Sequence, residues 1–136
     1  MTRGNGIDEH RRFVRARAST ITSYCPICII GNTNNITTVR PIAELHHIFG
    51  RETSDPSHIK ESIFGTMPLC NPHHAEYPPL SSVSEYGRRP EHWDILLDAY
   101  WRYIGSFNFL SKEERILRDG FFNLSTEEFI NYFVGD

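Results

Sequence analysis

Apolar residues recur with a helical period in the last third of the chain. Trp93, Leu96, Leu97, Tyr100, Trp101 and Ile104 fall at i, i+3, i+4, i+7, i+8 and i+11 after Pro90, which puts them on one face of an α-helix. Ser111 with Glu114, and Ser125 with Glu128, have the capping-box spacing that opens a helix. Gly120 suits the stop of the first of these helices. Phe121, Phe122, Phe129, Tyr132 and Phe133 then read as aromatic core. Upstream the period changes. Ile36 to His46 is rich in β-branched residues and predicts a strand, with Pro41 marking an edge or a bulge. Asp8 caps a short helix through about Ala18. Tyr24-Cys25-Pro26-Ile27-Cys28 reads as a tight turn, and Gly31 to Asn35 as a hairpin-type loop. Asp55-Pro56 and Asn71-Pro72 both signal the start of a helical turn, and Tyr77-Pro78-Pro79 must end the second. The fold class is α+β: a small module of short elements, followed by a helical extension.

Composition narrows the class. A chain of 136 residues suits one small domain with additions. At 39% hydrophobic it is globular rather than disordered. No apolar run approaches the roughly 20 residues of a membrane span, and Met1 to Asn5 shows no apolar signal region. Three cysteines are an odd number for a disulfide framework. The close Cys25/Cys28 pair suits a metal in a reducing cytoplasm.

The net charge of −3 is unevenly spread. Residues 1–20 carry five arginines against Asp8 and Glu9, and residues 91–136 carry nine acidic side chains against four basic ones. Arg11, Arg12, Arg15 and Arg17 form a basic arm suited to a nucleic-acid backbone; a solvated helix face accounts for the same pattern equally well. The acidic C-terminal helices offer a surface to a protein partner.

Metal-ligand spacing is the strongest chemical signal. Cys25 and Cys28 are three apart, as are Cys70 and His73. Three thiolates and one imidazole make a closed structural zinc site. His73 and His74 can trade roles, and the regular spacing favours His73. Neighbours on a helix point about 100° apart, so the remaining imidazole, His74, faces elsewhere. His46-His47 supplies its partner. Two neutral imidazoles and water bind a divalent ion such as Mg, Mn, Ni or Zn, with open positions for a phosphate oxygen. A third, metal-free imidazole can accept a proton from water near pH 7. Adjacent residues on a flat strand face opposite sides, so both histidines serve one site only if the strand ends there.

The order CxxC, then Glu44-Leu45-His46-His47-Ile48, then Leu69-Cys70-x-x-His73-His74 resembles the HNH nucleases of the ββα-metal fold. His47-Ile48-Phe49-Gly50 after His46 resembles a stretch of small phage and prophage members. The likeness covers about residues 24–77. Together with the charge and helix patterns it divides the chain into a basic arm over 1–22, a zinc-stabilised ββα-metal module over 23–80 and a C-terminal helical extension over 81–136 packed on that module. It further implies His47 as general base, His46 and His74 as ligands of the catalytic ion, and DNA as substrate. The family's middle residue, commonly Asn, orients the base. Here that position is Gly65, which leaves the orienting group open among Ser62, Thr66, His58, Glu44 and a backbone carbonyl. The expected activity is metal-dependent DNA cleavage or nicking. The alternative is a non-catalytic zinc module that binds nucleic acid or a protein.

Overall fold

The computed structural model describes residues 6–31, 38–52 and 55–135. Seven α-helices, two strands and one 3-10 turn make up these residues, a mixed α+β architecture. Helix α1 spans Ile7–Ser19 and α2 spans Pro26–Gly31. Strand β1 (Glu44–His47) pairs antiparallel with β2 (Thr66–Leu69), with His46 opposite Met67 and His47 opposite Thr66. The 3-10 turn Ile59–Glu61 lies between them. Then follow α3 (Asn71–Glu76), α4 (Val83–Arg88), α5 (Pro90–Gly105), α6 (Lys112–Phe121) and α7 (Thr126–Val134).

The helical C-terminal half follows the sequence pattern closely. Trp93, Leu96, Leu97, Tyr100 and Ile104 of α5 are all buried. Both capping boxes form, Ser111 with Glu114 and Ser125 with Glu128. The aromatic stripe is only partly core: Phe121, Phe129 and Phe133 are buried, whereas Phe122 and Tyr132 are exposed. Gly120 does not end α6, which runs on through Phe121 with Phe122 as its C-cap.

Three upstream expectations need correction. Regular strand is confined to Glu44–His47; upstream of it Pro41 forms an isolated bridge with Tyr24, flanked by the Cys25 N–H donating to the Arg40 carbonyl and the Ile42 N–H donating to the Ser23 carbonyl. Residues 36 and 37 and the predicted loop over 32–35 lie outside the described residues. Asp8 sits in the first turn of α1, and Gly6 is the N-cap, with a left-handed φ of 75°. The turn after Asp55-Pro56 is held by the Asp55 carboxylate, which accepts from Ser57 N–H and Oγ, and the 3-10 turn that follows is capped by His58.

A single apolar cluster runs from α1 to α7. Phe49, just after β1, stacks on Phe133 of α7 at 4.4 Å. The Tyr100 hydroxyl on α5 donates to the Phe64 carbonyl at 2.7 Å. These contacts seat the helical half directly behind the β1–β2 hairpin and fix the residues at its ends. Among the described residues no helix is long and apolar enough to cross a membrane.

Candidate functional site

Asn71-Pro72 opens α3 as the sequence predicts, with Pro72 in the first turn and Cys70 as N-cap. This brings Cys70 and His73 onto one side, facing Cys25 and Cys28; the stretch predicted as a tight turn is instead helical from Pro26, with Cys28 on α2 and Cys25 just before it. The His73 Nδ1 lies 3.5 Å from the Cys25 Sγ, 3.5 Å from the Cys28 Sγ and 3.3 Å from the Cys70 Sγ. All four ligand atoms fall within 4.8 Å of one another. A tetrahedron with Zn–S bonds of about 2.3 Å and a Zn–N bond of about 2.05 Å has S···N edges of about 3.6 Å. The cluster therefore fits a structural zinc, and its cysteines are buried.

The surroundings of the sulfurs differ. Burial pushes the Cys25 thiol up to about 11. Burial also acts against the Cys70 thiolate, but hydrogen bonds outweigh it and hold Cys70 below the ordinary thiol value. The chief donor is the Arg40 guanidinium, whose Nε lies 3.3 Å from the Cys70 Sγ. Arg40 thus supports a thiolate ligand from outside the cluster.

His74 turns the other way. Its Nδ1 lies 3.1 Å from the Nδ1 of His46, with the two rings nearly perpendicular at 82°. That spacing lies between the roughly 3.0 Å edge of an octahedron and the roughly 3.4 Å edge of a tetrahedron built with bonds of about 2.1 Å. Burial, with the neighbouring His74 and His47 adding to it, holds His46 down to about 4. It is a neutral imidazole at pH 7, as a metal ligand must be. The pair His46 and His74 therefore fits a divalent cation with an incomplete protein shell.

Strand β1 ends at His47, and the chain turns through Ile48 and Phe49 to Gly50, whose φ of 97° favours glycine. With the strand ending there, His46, His47 and His74 line one cleft of about 300 Å³, walled also by Arg51 and Tyr77.

The residue that holds His47 was not among the sequence candidates. His47 Nε2 donates to the Glu61 carboxylate at 2.9 Å. A carboxylate only accepts, so the ring hydrogen is on Nε2 and the lone pair on Nδ1, which is buried without a hydrogen-bond partner. Glu61 is 1% exposed and accepts three further bonds: 3.0 Å and 2.8 Å from the Arg11 guanidinium, and 2.7 Å from the Glu52 N–H. Burial opposes its charge, yet these donors bring its carboxyl down to about 2. Burial lowers His47, and the Glu61 carboxylate only partly offsets it. The ring is therefore neutral at pH 7, with its lone pair on the buried Nδ1.

The other candidates are engaged elsewhere. His58 accepts from the Lys60 N–H, Ser62 Oγ donates to the Ile59 carbonyl, Thr66 Oγ1 donates to the Ser62 carbonyl, and Glu44 is exposed. Gly65 has a different role. A Cβ there would come within 2.5 Å of the Lys60 carbonyl oxygen and 2.8 Å of the Ile59 carbonyl oxygen. Only glycine lets the 59–61 turn lie against β2, and that turn delivers Glu61 to His47.

The four arginines of the basic arm do not share one environment. Arg11 is spent on Glu61. Arg17 pairs with Glu114 at 3.2 Å and covers the Phe109 ring. Arg15 donates to the Ala43 carbonyl at 2.9 Å, and Arg12 is exposed. Compared with protein-family models, curated proteins and solved structures, the chain matches none.

Proposed function

We propose that this chain is a metal-dependent phosphodiesterase that cleaves or nicks DNA, on a ββα-metal module of the HNH type. One observation carries the reading. The adjacent imidazoles of α3 serve two different clusters, His73 the three sulfurs and His74 the open pair with His46. The His46–His74 contact also ties β1 to α3, but a structural zinc alone does not call for an imidazole pair at a cleft beside a neutral, oriented His47.

The cysteine cluster with His73 would hold a zinc that fixes α3 against α2. A divalent cation held by His46 and His74, such as Mg, Mn, Ni or Zn, would offset the charge that develops on the phosphate and the leaving oxygen. His47 performs the proton transfer. Its Nδ1 takes a proton from water as the water oxygen bonds to phosphorus. The ester P–O bond breaks on the far side, and the leaving oxygen collects a proton from solvent. Glu61 keeps the Nε2 hydrogen in place before the step and stabilises the imidazolium after it, as a buried orienting carboxylate does.

Supercoiled plasmid incubated with Mg, Mn or Ni, beside His47→Ala and His74→Ala, tests the proposal. Nicking by the parent and its loss in both folded variants is the expected result. Equal nicking by His47→Ala would remove it as base. A parent inert with every metal would favour the binding module.

A further inference from the structure

A second, smaller cleft of about 160 Å³ adjoins the first, between α1 and the end of β1. The two share Leu45, His47 and Arg51 as walls, so they are contiguous. The smaller one is lined by Arg11, Arg12 and Arg15, with Glu44 as its one carboxylate. Arg11 is neutralised by Glu61. Arg15 is pinned by the Ala43 carbonyl, which leaves its charge uncompensated. Arg12 and Arg51 are exposed, and neither has an ion pair or hydrogen bond among the described residues. Three unneutralised guanidiniums therefore surround a space large enough for one phosphate, beside the histidines. Of the three, Arg51 lines both clefts and so stands next to the histidines.

We infer that this cleft is a subsite for a second phosphate, one that flanks the scissile phosphate on the same strand, with Arg12, Arg15 and Arg51 as its walls. The inference rests on the phosphodiesterase reading. Arginine suits the task because its planar fork of donors matches phosphate oxygens. The consequence is selectivity for polynucleotides over isolated diesters. A small diester such as bis(4-nitrophenyl) phosphate fills only the histidine cleft, whereas a DNA strand fills both. The arm would then recognise DNA through Arg12 and Arg15 together with Arg51 from beyond β1, while Arg11 and Arg17 serve the fold.

The test is the double variant Arg12→Gln/Arg15→Gln, two exposed side chains that line the smaller cleft and not the histidine cleft. Binding of a fluorescein-labelled single-stranded DNA oligonucleotide is followed by anisotropy over a range of salt, without added divalent ion. Losing one phosphate contact should flatten the slope of log affinity against log salt by about 0.7 and weaken binding several-fold. With divalent ion, KM for the oligonucleotide should rise, and turnover of bis(4-nitrophenyl) phosphate should match the parent. Neutral methylphosphonate linkages, introduced one at a time, should weaken the parent most at a single position, and that position should have no effect in the variant. An unchanged salt slope, or equal weakening at every linkage, would overturn the subsite. A parent inert toward both substrates would refute the phosphodiesterase reading by itself, and the binding arm would still decide whether the cleft holds a phosphate.

Discussion

Replacing Glu61 with glutamine keeps the shape of the side chain and removes its charge. The carboxylate is buried and accepts two bonds from Arg11, one from the Glu52 N–H and one from His47. The amide would turn one NH₂ group toward donors and leave the Arg11 guanidinium without a counter-charge. Two routes give the size of the effect. The carboxyl falls from 4.5 to about 2 in the folded protein, which at about 1.4 kcal/mol per pKa unit is about 3.5 kcal/mol. Removing one partner of a buried pair independently suggests about 3–5 kcal/mol. Glu61→Gln should therefore lower the melting temperature by roughly 10 °C at pH 7. The depressed carboxyl also sets the sign of the pH dependence. Its stabilisation is full above about pH 4.5 and is lost as pH falls toward 2. By pH 3 the gap between parent and variant should narrow by about 2 kcal/mol. Denaturant unfolding at several pH values measures this, and a cycle with Arg11→Met should show strong coupling. A gap under about 1 kcal/mol at pH 7, or one that ignores pH, would refute this account of Glu61.

Two further variants separate the parts of the site. Cys70→Ser should lose the bound zinc and unfold at much lower denaturant, whereas His74→Ala should keep the zinc and most of the stability but lose nicking; equal stability losses would undo the division into structural and open clusters. Gly65→Ala should cost about 1–3 kcal/mol and reduce kcat more than KM, because its methyl group would push the 59–61 turn and Glu61 away from His47; parent-like melting and turnover would show that the turn yields freely.

The group of three cysteines and His73 was legible because metal geometry imposes short, regular spacing on its ligands. Cys25, Cys28, Cys70 and His73 come together as that spacing predicts, and the separation of His73 from His74 followed from the 100° step of a helix. The α5 stripe and both capping boxes were legible for a similar reason, since the interactions they report are local. Glu61 was not. It is one acid in an irregular polar segment, and its partners Arg11, His47 and Glu52 lie 50, 14 and 9 residues away. No periodicity marks such a residue. The nearest signal was Gly65, which stands where the resemblance expects an orienting side chain. A missing side chain at a required position can mean that the backbone there must make room for something else. The extent of β1 was not legible either: upstream of Glu44 the chain runs beside residues 23–25 in an isolated bridge at Pro41, and β-branched composition does not distinguish such a bridge from a ladder.

Three polar clusters do much of the tertiary joining around a sheet of two four-residue strands, which is marginal on its own. The sulfurs tie α2 to α3, the His46–His74 pair ties β1 to α3, and Glu61 ties α1 to the end of β1. His10 on α1 strengthens the last of these by donating to the Glu61 carbonyl at 2.9 Å. The first helix is thus more than an arm laid beside a finished module. On its inner side Arg11 holds the Glu61 carboxylate and His10 the backbone carbonyl of the same residue, and toward solvent Arg12 and Arg15 face the cleft beside it. One turn further on, Arg17 fastens the same helix to α6 through Glu114. On the proposed function, a helix that sets the geometry of His47 while presenting cations beside it would couple strand binding to the position of the base, because both would act through the same few residues of α1.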